Sequence, residues 1–141
     1  MTSKEFLDRP YHIKKKIRYL ELELDRYKTM MNSIPQPSYG SIRVDKTPST
    51  ETPNQRGLEK YYETLDKITE KQKELEKVIR EIDSAIEKMD IPEYKSILTY
   101  KYIEGMTWDE ISKKIYVAYS TVRKWHKLSL EHFKTINNFA E

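Results

Sequence analysis

The chain has 141 residues, enough for one ordinary domain or two small ones, and it is 35% charged and 37% hydrophobic, which argues against one large core. With 3 glycines and 6 prolines the composition suits long solvated helices rather than a sheet-rich fold, and without cysteine it excludes a disulfide framework or a cysteine-based zinc site. The net charge of +3 is mild but unevenly spread: residues 58–90 carry seven basic and ten acidic side chains, net −3, whereas residues 112–134 set Lys113, Lys114, Arg123, Lys124, Lys127 and Lys134 against Glu131 alone, net +5.

That local asymmetry matters more than the total, because a phosphate backbone responds to the face presented to it. No stretch approaches the roughly 18 apolar residues of a membrane span. The N-terminus also lacks the apolar block of a signal peptide. Both absences lead to the expectation of a protein working in the reducing cytoplasm.

The first predicted element is a helix over about residues 3–32, with Ser3, Glu5 and Asp8 suited to its start. Ile13, Ile17, Leu20, Leu24, Tyr27 and Met31 follow alternating steps of four and three, which keep one narrow apolar stripe on a helix. Pro10 fits either the first turn or a break between a short N-terminal turn and the main helix. Residues 33–57 gather Pro35, Pro37, Gly40, Pro48, Pro53 and Gly57 among serine, threonine and asparagine, and read as a linker.

The stripe resumes with Leu58, Tyr61, Leu65, Ile68, Gln72, Leu75, Ile79, Ile82, Ile86 and Met89. Its flanking glutamates and lysines point to a coiled-coil helix in which Gln72 either fixes the register or lies at a frayed part of the seam. Two such stripes pair as an antiparallel hairpin within one chain, or they build an oligomer.

Asp90-Ile-Pro-Glu93 predicts a new helix start, with Asp90 as cap, Pro92 in the first turn and Glu93 completing a capping box. That helix ends at Gly105. Thr107-Trp-Asp-Glu110 is a second capping box opening a helix over 107–115. A turn around Tyr116–Ala118 then leads to a last helix over about 119–137.

The predicted fold is all-α: a helical hairpin or coiled coil over residues 1–90, serving oligomerisation, and a three-helix helix-turn-helix domain over 91–141. Ile97, Leu98, Tyr102, Trp108, Ile111, Ile115, Val117, Val122, Trp125 and Leu128 fall at core spacings, with the two tryptophans as its strongest anchors.

Left outward on the last helix are Tyr119, Ser120, Thr121, Arg123, Lys124 and Lys127. A helix of this kind can lie in the DNA major groove, its first turns reaching base edges and its later ones phosphates. Ser120, Thr121 and Lys124 are candidates for base contact, with Tyr119 at the groove edge. Arg123 can read guanine or clamp a phosphate. Lys113, Lys114 and Lys127 suit phosphates. The competing reading is a helical bundle with a basic solvent face; the capping boxes in register and the basic second helix favour DNA.

His126 and His132 are six residues apart and do not share a helix face, and His12 is remote, so no metal is expected. Neither a Gly-rich phosphate loop nor a nucleophile–base pattern stands out. No cofactor and no enzymatic activity are expected.

Tyr94-Lys-Ser-Ile-Leu-Thr-Tyr-Lys-Tyr-Ile-Glu-Gly105, then Thr107-Trp-Asp-Glu-Ile, then Ser120-Thr-Val-Arg-Lys-Trp-His126, resembles the fourth conserved region of sigma-70-type factors over residues 91–134. The whole layout, with its Lys4-Glu-Phe-Leu opening, helical N-terminal part and polar break, resembles small phage-encoded transcriptional regulators of the RinA/ArpU-like group. That resemblance implies promoter binding, with activation of phage late or packaging genes or regulation of host-linked operons, and the sigma-type resemblance sets Tyr119, Ser120, Thr121, Arg123 and Lys124 facing the promoter. Tyr116 stands where the family has a turn glycine, and Ala118 where it has a serine or threonine cap. Each replacement costs about 1 kcal/mol, which predicts a wider turn.

A sequence-specific transcription regulator acting as a dimer or higher oligomer on double-stranded DNA is therefore the leading expectation. Doubling a small DNA-reading unit raises its effective concentration on paired half-sites. The sigma-like layout leaves room for contact with RNA polymerase, though no residue shows one. The alternatives are a phage small terminase subunit, which joins a helix-turn-helix to a ring-forming hairpin, and an adaptor whose basic helix docks on an acidic protein.

Overall fold

The computed structural model describes residues 1–32 and 53–140, and the regular structure among them is entirely helical, as expected. The order is α1 (Ser3–Asn32), α2 (Pro53–Glu87), α3 (Pro92–Leu98), a π-helical turn (Thr99–Ile103) continuing α3, α4 (Trp108–Ile115) and α5 (Tyr119–Ile136). No helix among the described residues is long and apolar enough to cross a membrane. The expected linker at 33–57 lies outside the described residues as far as residue 52; from Pro53 onward the chain is already helical.

The chain divides into two compact units, one of Met1–Lys15 with Gln72–Glu141 and one of Lys16–Lys71. The second is a hairpin formed within one chain, in which the last turn of α1 meets the first turns of α2. Gly57 permits the approach: a Cβ there would lie 3.3 Å from the Met30 Cβ and 3.4 Å from the Met31 backbone nitrogen. On α1 the inward stripe follows the sequence, with Ile17 buried and Leu20, Leu24 and Tyr27 half-buried. On α2 it does not. Gly57, Thr64 and Ile68 are buried, whereas Leu58 and Leu65, expected in the seam, are 39% and 37% exposed. The close approach at Gly57 needs a residue without a side chain, and the two leucines lie outside the buried positions.

The first unit combines the start of α1, the end of α2 and helices α3 to α5. Helix α1 continues without interruption past Pro10, which is fully buried. Proline supplies no N–H for the carbonyl one turn back, here that of Phe6. The Arg9 Nε donates to that carbonyl instead, at 3.1 Å. The same guanidinium lies 4.2 Å from the Phe6 ring centroid and pairs with Glu81 of α2 at 3.0 Å.

On α2 of this unit Val78, Ile82, Ala85 and Ile86 are buried, as is Met89 just beyond it. Gln72 is exposed and takes no place in a seam. The Asn137 side chain, just past α5, donates to the Ala85 carbonyl at 3.2 Å and to that of Phe133 at 3.1 Å.

Helix α3 departs from the expected start. Its N-cap is Ile91, without a side-chain cap bond, because Pro92 occupies the first helical position. Asp90 is thus one residue too early to cap. Gly105 ends the π-helical stretch with φ +70°, as its position suggested.

Candidate nucleic-acid interface

The helix-turn-helix is set by local signals. Thr107 is extended and caps α4: its hydroxyl accepts from the Glu110 backbone N–H at 3.2 Å and donates to the Glu110 carboxylate at 3.1 Å. Helix α4 ends on Tyr116 in the left-handed conformation, φ 58° and ψ 44°. Ser112 ties the turn down: its carbonyl accepts from the Tyr116 and Val117 backbone N–H groups, and its hydroxyl donates to the Val117 carbonyl. The turn therefore keeps its short form, and the wider one expected from Tyr116 is not found. Ala118 opens α5 without a side-chain cap, as its methyl group dictates.

Ile97, Ile111 and Val122 form the fully buried centre between α3, α4 and α5, with Tyr100, Met106, Trp108, Ile115, Val117 and Trp125 packed around it. The tryptophans are only half-buried and sit at its margin. Among the described residues the largest fully buried side chain is instead Phe133, whose ring lies 6.1 Å from Phe6 of α1 and 5.7 Å from Phe139. Ser129 is fully buried, its hydroxyl donating to the Trp125 carbonyl at 2.6 Å. Leu128, expected in the core, is 43% exposed. The inward stripe of α5 thus runs through Val122, Ser129 and Phe133, and Leu128 is turned out of it.

With that stripe inward, Tyr119, Ser120, Arg123, Lys124 and Lys127 are exposed, and Thr121 is half-buried. Lys113 and Lys114 are exposed on α4, where Lys113 pairs with Asp109 at 3.0 Å. A phosphate would have to compete with that carboxylate for Lys113. At such exposure the competition is mild, because exposed ion pairs contribute about 1 kcal/mol or less.

Arg123 is held in place from two sides. Its guanidinium sits 5.1 Å from the Trp108 ring centroid and reaches the Tyr119 hydroxyl at 3.5 Å. The Lys101 ammonium lies 4.3 Å from the same tryptophan ring and donates to the Met106 carbonyl at 3.4 Å. Below them the His126 ring packs 4.4 Å from Trp108 and shares a 2.7 Å hydrogen bond with the Tyr102 hydroxyl. Burial first, then the Arg123 and Lys101 cations, lower the His126 pKa to about 4, so its ring is neutral near pH 7. Burial likewise raises Tyr102 well above the ordinary tyrosine value and keeps its hydroxyl protonated. The neutral pair supports the Arg123 side of the helix without adding charge to it.

Sequence reasoning placed Trp108 in the core and left Lys101 unassigned. The contacts that make Trp108 a seat for cations join three different helical elements, and no local pattern announces them.

Residues 79–133 match the family model described as sigma-70, region 4. Neither a curated protein nor a solved structure matches the chain. The C-terminal helices are therefore similar to sigma-70 region 4, and the match supports a DNA-binding helix-turn-helix of that type in which α5 is the second helix.

Proposed function

We propose that the chain is a sequence-specific, DNA-binding transcription regulator that lays α5 in the major groove. The observation that carries this reading is the exposed basic side of α5, with Arg123, Lys124 and Lys127, on a unit similar to sigma-70 region 4. In this arrangement Ser120, Thr121 and Lys124 meet base edges, Tyr119 lines the groove wall, and Arg123 takes guanine or a phosphate. Lys113, Lys114 and Lys127 neutralise phosphates.

The layout supports a phage-encoded regulator of the RinA/ArpU-like group, acting in the bacterial cytoplasm on late or packaging genes. It acts by binding rather than by catalysis, as a homo-oligomer and with RNA polymerase as a further partner. A single small module reads few base pairs, and paired copies would gain affinity through effective concentration.

Selection of bound duplexes from a random DNA pool tests the reading. An enriched motif is expected, with strong loss of binding in Arg123→Ala/Lys124→Ala at unchanged helicity and a steep fall of affinity with salt. Absence of any preferred sequence at moderate salt would favour the adaptor reading. A closed ring of many copies in solution, with no effect on transcription, would favour a packaging subunit.

A further inference from the structure

The turn between α4 and α5 contains an expense that the isolated fold does not recover. Tyr116 holds φ 58° and ψ 44°, a left-handed conformation that crowds the Cβ of an L-residue and that glycine adopts freely. A bulky aromatic in that conformation is an outlier. Its ring gains nothing from packing, since Tyr116 is 94% exposed. Glycine would relieve the backbone and remove an exposed aromatic surface at once. The surroundings nevertheless impose the geometry: Ser112 grips the turn through its carbonyl and its hydroxyl, and Val117 packs against the core. The ring is therefore aimed outward from a fixed backbone.

The neighbourhood of that ring is basic and aromatic. Lys113 and Lys114 precede it on the last turn of α4, and the exposed Tyr119 opens α5 just after it. A tyrosine suits a sugar–phosphate strand: the ring face covers deoxyribose while the hydroxyl donates to a phosphate oxygen.

We infer that Tyr116 is a DNA-backbone contact, a residue of the turn that clamps one strand beside the groove entered by α5. This rests on the DNA-binding reading above. It adds a position outside α5 and assigns it affinity rather than sequence preference.

Three variants test it, Tyr116→Gly, Tyr116→Asn and Tyr116→Phe, each measured for thermal stability and for affinity to a selected and a scrambled duplex. Glycine and asparagine both tolerate the left-handed turn, so both are expected to melt no lower than the parent. Both should nonetheless bind each duplex about 5- to 10-fold more weakly, and Tyr116→Phe should lose a smaller part. Opposite signs for stability and affinity would mark a functional ring, whereas a structural one would move the two together. Parent-like affinity in Tyr116→Gly and Tyr116→Asn, alongside a strong loss in Arg123→Ala/Lys124→Ala, overturns the inference and leaves the DNA reading standing. Loss on the selected duplex alone overturns the backbone assignment in favour of base contact. A parent that binds neither duplex removes the inference together with the reading beneath it.

Discussion

The guanidinium of Arg123 lies over the ring of Trp108, 5.1 Å from its centroid, so α4 supplies the seat for the cation that α5 presents. Cation–π contacts at such partly exposed sites contribute about 0.5–1 kcal/mol. Their larger effect here is to remove rotamer freedom that a binding arginine would otherwise lose on contact with DNA. Trp108→Leu should therefore weaken DNA binding by about 3- to 5-fold through Arg123, with Trp108→Phe retaining most of the affinity. The diagnostic measurement is a double-mutant cycle: Trp108→Leu should add little once Arg123 is already alanine. Additive losses would show that Trp108 acts by packing alone.

Phe133 and Leu128 make opposite predictions on the same helix. Phe133 is fully buried against Phe6 and Phe139, so Phe133→Ala should cost about 3–5 kcal/mol in denaturant unfolding. Leu128 is 43% exposed, and Leu128→Ala should cost less than about 1 kcal/mol. Comparable losses at the two positions would contradict the observed rotation of α5.

These two residues also show what the sequence could and could not convey. Thr107, Pro92 and Gly105 are local punctuation, and the helix limits they mark agree with the structure to within a residue or two. The direction in which α5 faces depends on Phe6 and Phe139, which approach from α1 and from beyond α5. With Ser129 at a buried position, the apolar spacing alone favoured Leu128 over the true stripe. On α2 the apolar residues cover a band wider than one seam, so spacing alone places Leu58 and Leu65 inward, whereas Gly57 and Thr64 occupy the buried positions beside them. At the candidate site the basic residues of α5 could be named from charge and spacing. The strained Tyr116 is signalled by its place where the resembling family has a turn glycine, whereas the Trp108 seat is not legible, because it is a tertiary contact.

Leu58 and Leu65 also give assembly a concrete test. Each recurs one heptad from the other on α2, and both remain exposed beside the hairpin. If copies associate through that flank, Leu58→Glu/Leu65→Glu should lower the particle mass in sedimentation while helicity and melting temperature stay near the parent values. An unchanged mass would move the oligomer contact elsewhere.

Acid should destabilise the fold through His126. Its folded pKa is about 4, below the 6.5 expected for an exposed imidazole, because burial and the nearby Arg123 and Lys101 oppose its charge. Between those values the unfolded chain binds a proton that the folded chain refuses. The contribution is fully present above about pH 6.5 and is lost as pH falls towards 4. Carboxylates titrate in the lower part of that window, so the difference between parent and His126→Gln is the informative quantity. The variant should lose less stability than the parent between pH 7 and pH 5, and parallel curves would refute the assignment.

Arg9 and Pro10 should be energetically coupled. Pro10 deprives the Phe6 carbonyl of its helical donor, and the Arg9 Nε fills the gap at 3.1 Å while the same guanidinium pairs with Glu81. Arg9→Met removes both interactions and leaves a carbonyl unpaired in a partly buried place, at a cost of about 1–3 kcal/mol. Pro10→Ala restores a backbone N–H that can bond to Phe6 itself, although it also removes a buried ring, so the sign of that single substitution is set by two opposed effects. The coupling does not share that ambiguity. Arg9→Met should cost less in the Pro10→Ala background than in the parent, because the carbonyl then has its own donor. Equal costs in the two backgrounds, read from urea unfolding midpoints, would mean that Arg9 stabilises this end of α1 through Glu81 and the Phe6 ring rather than by repairing the helix at Pro10.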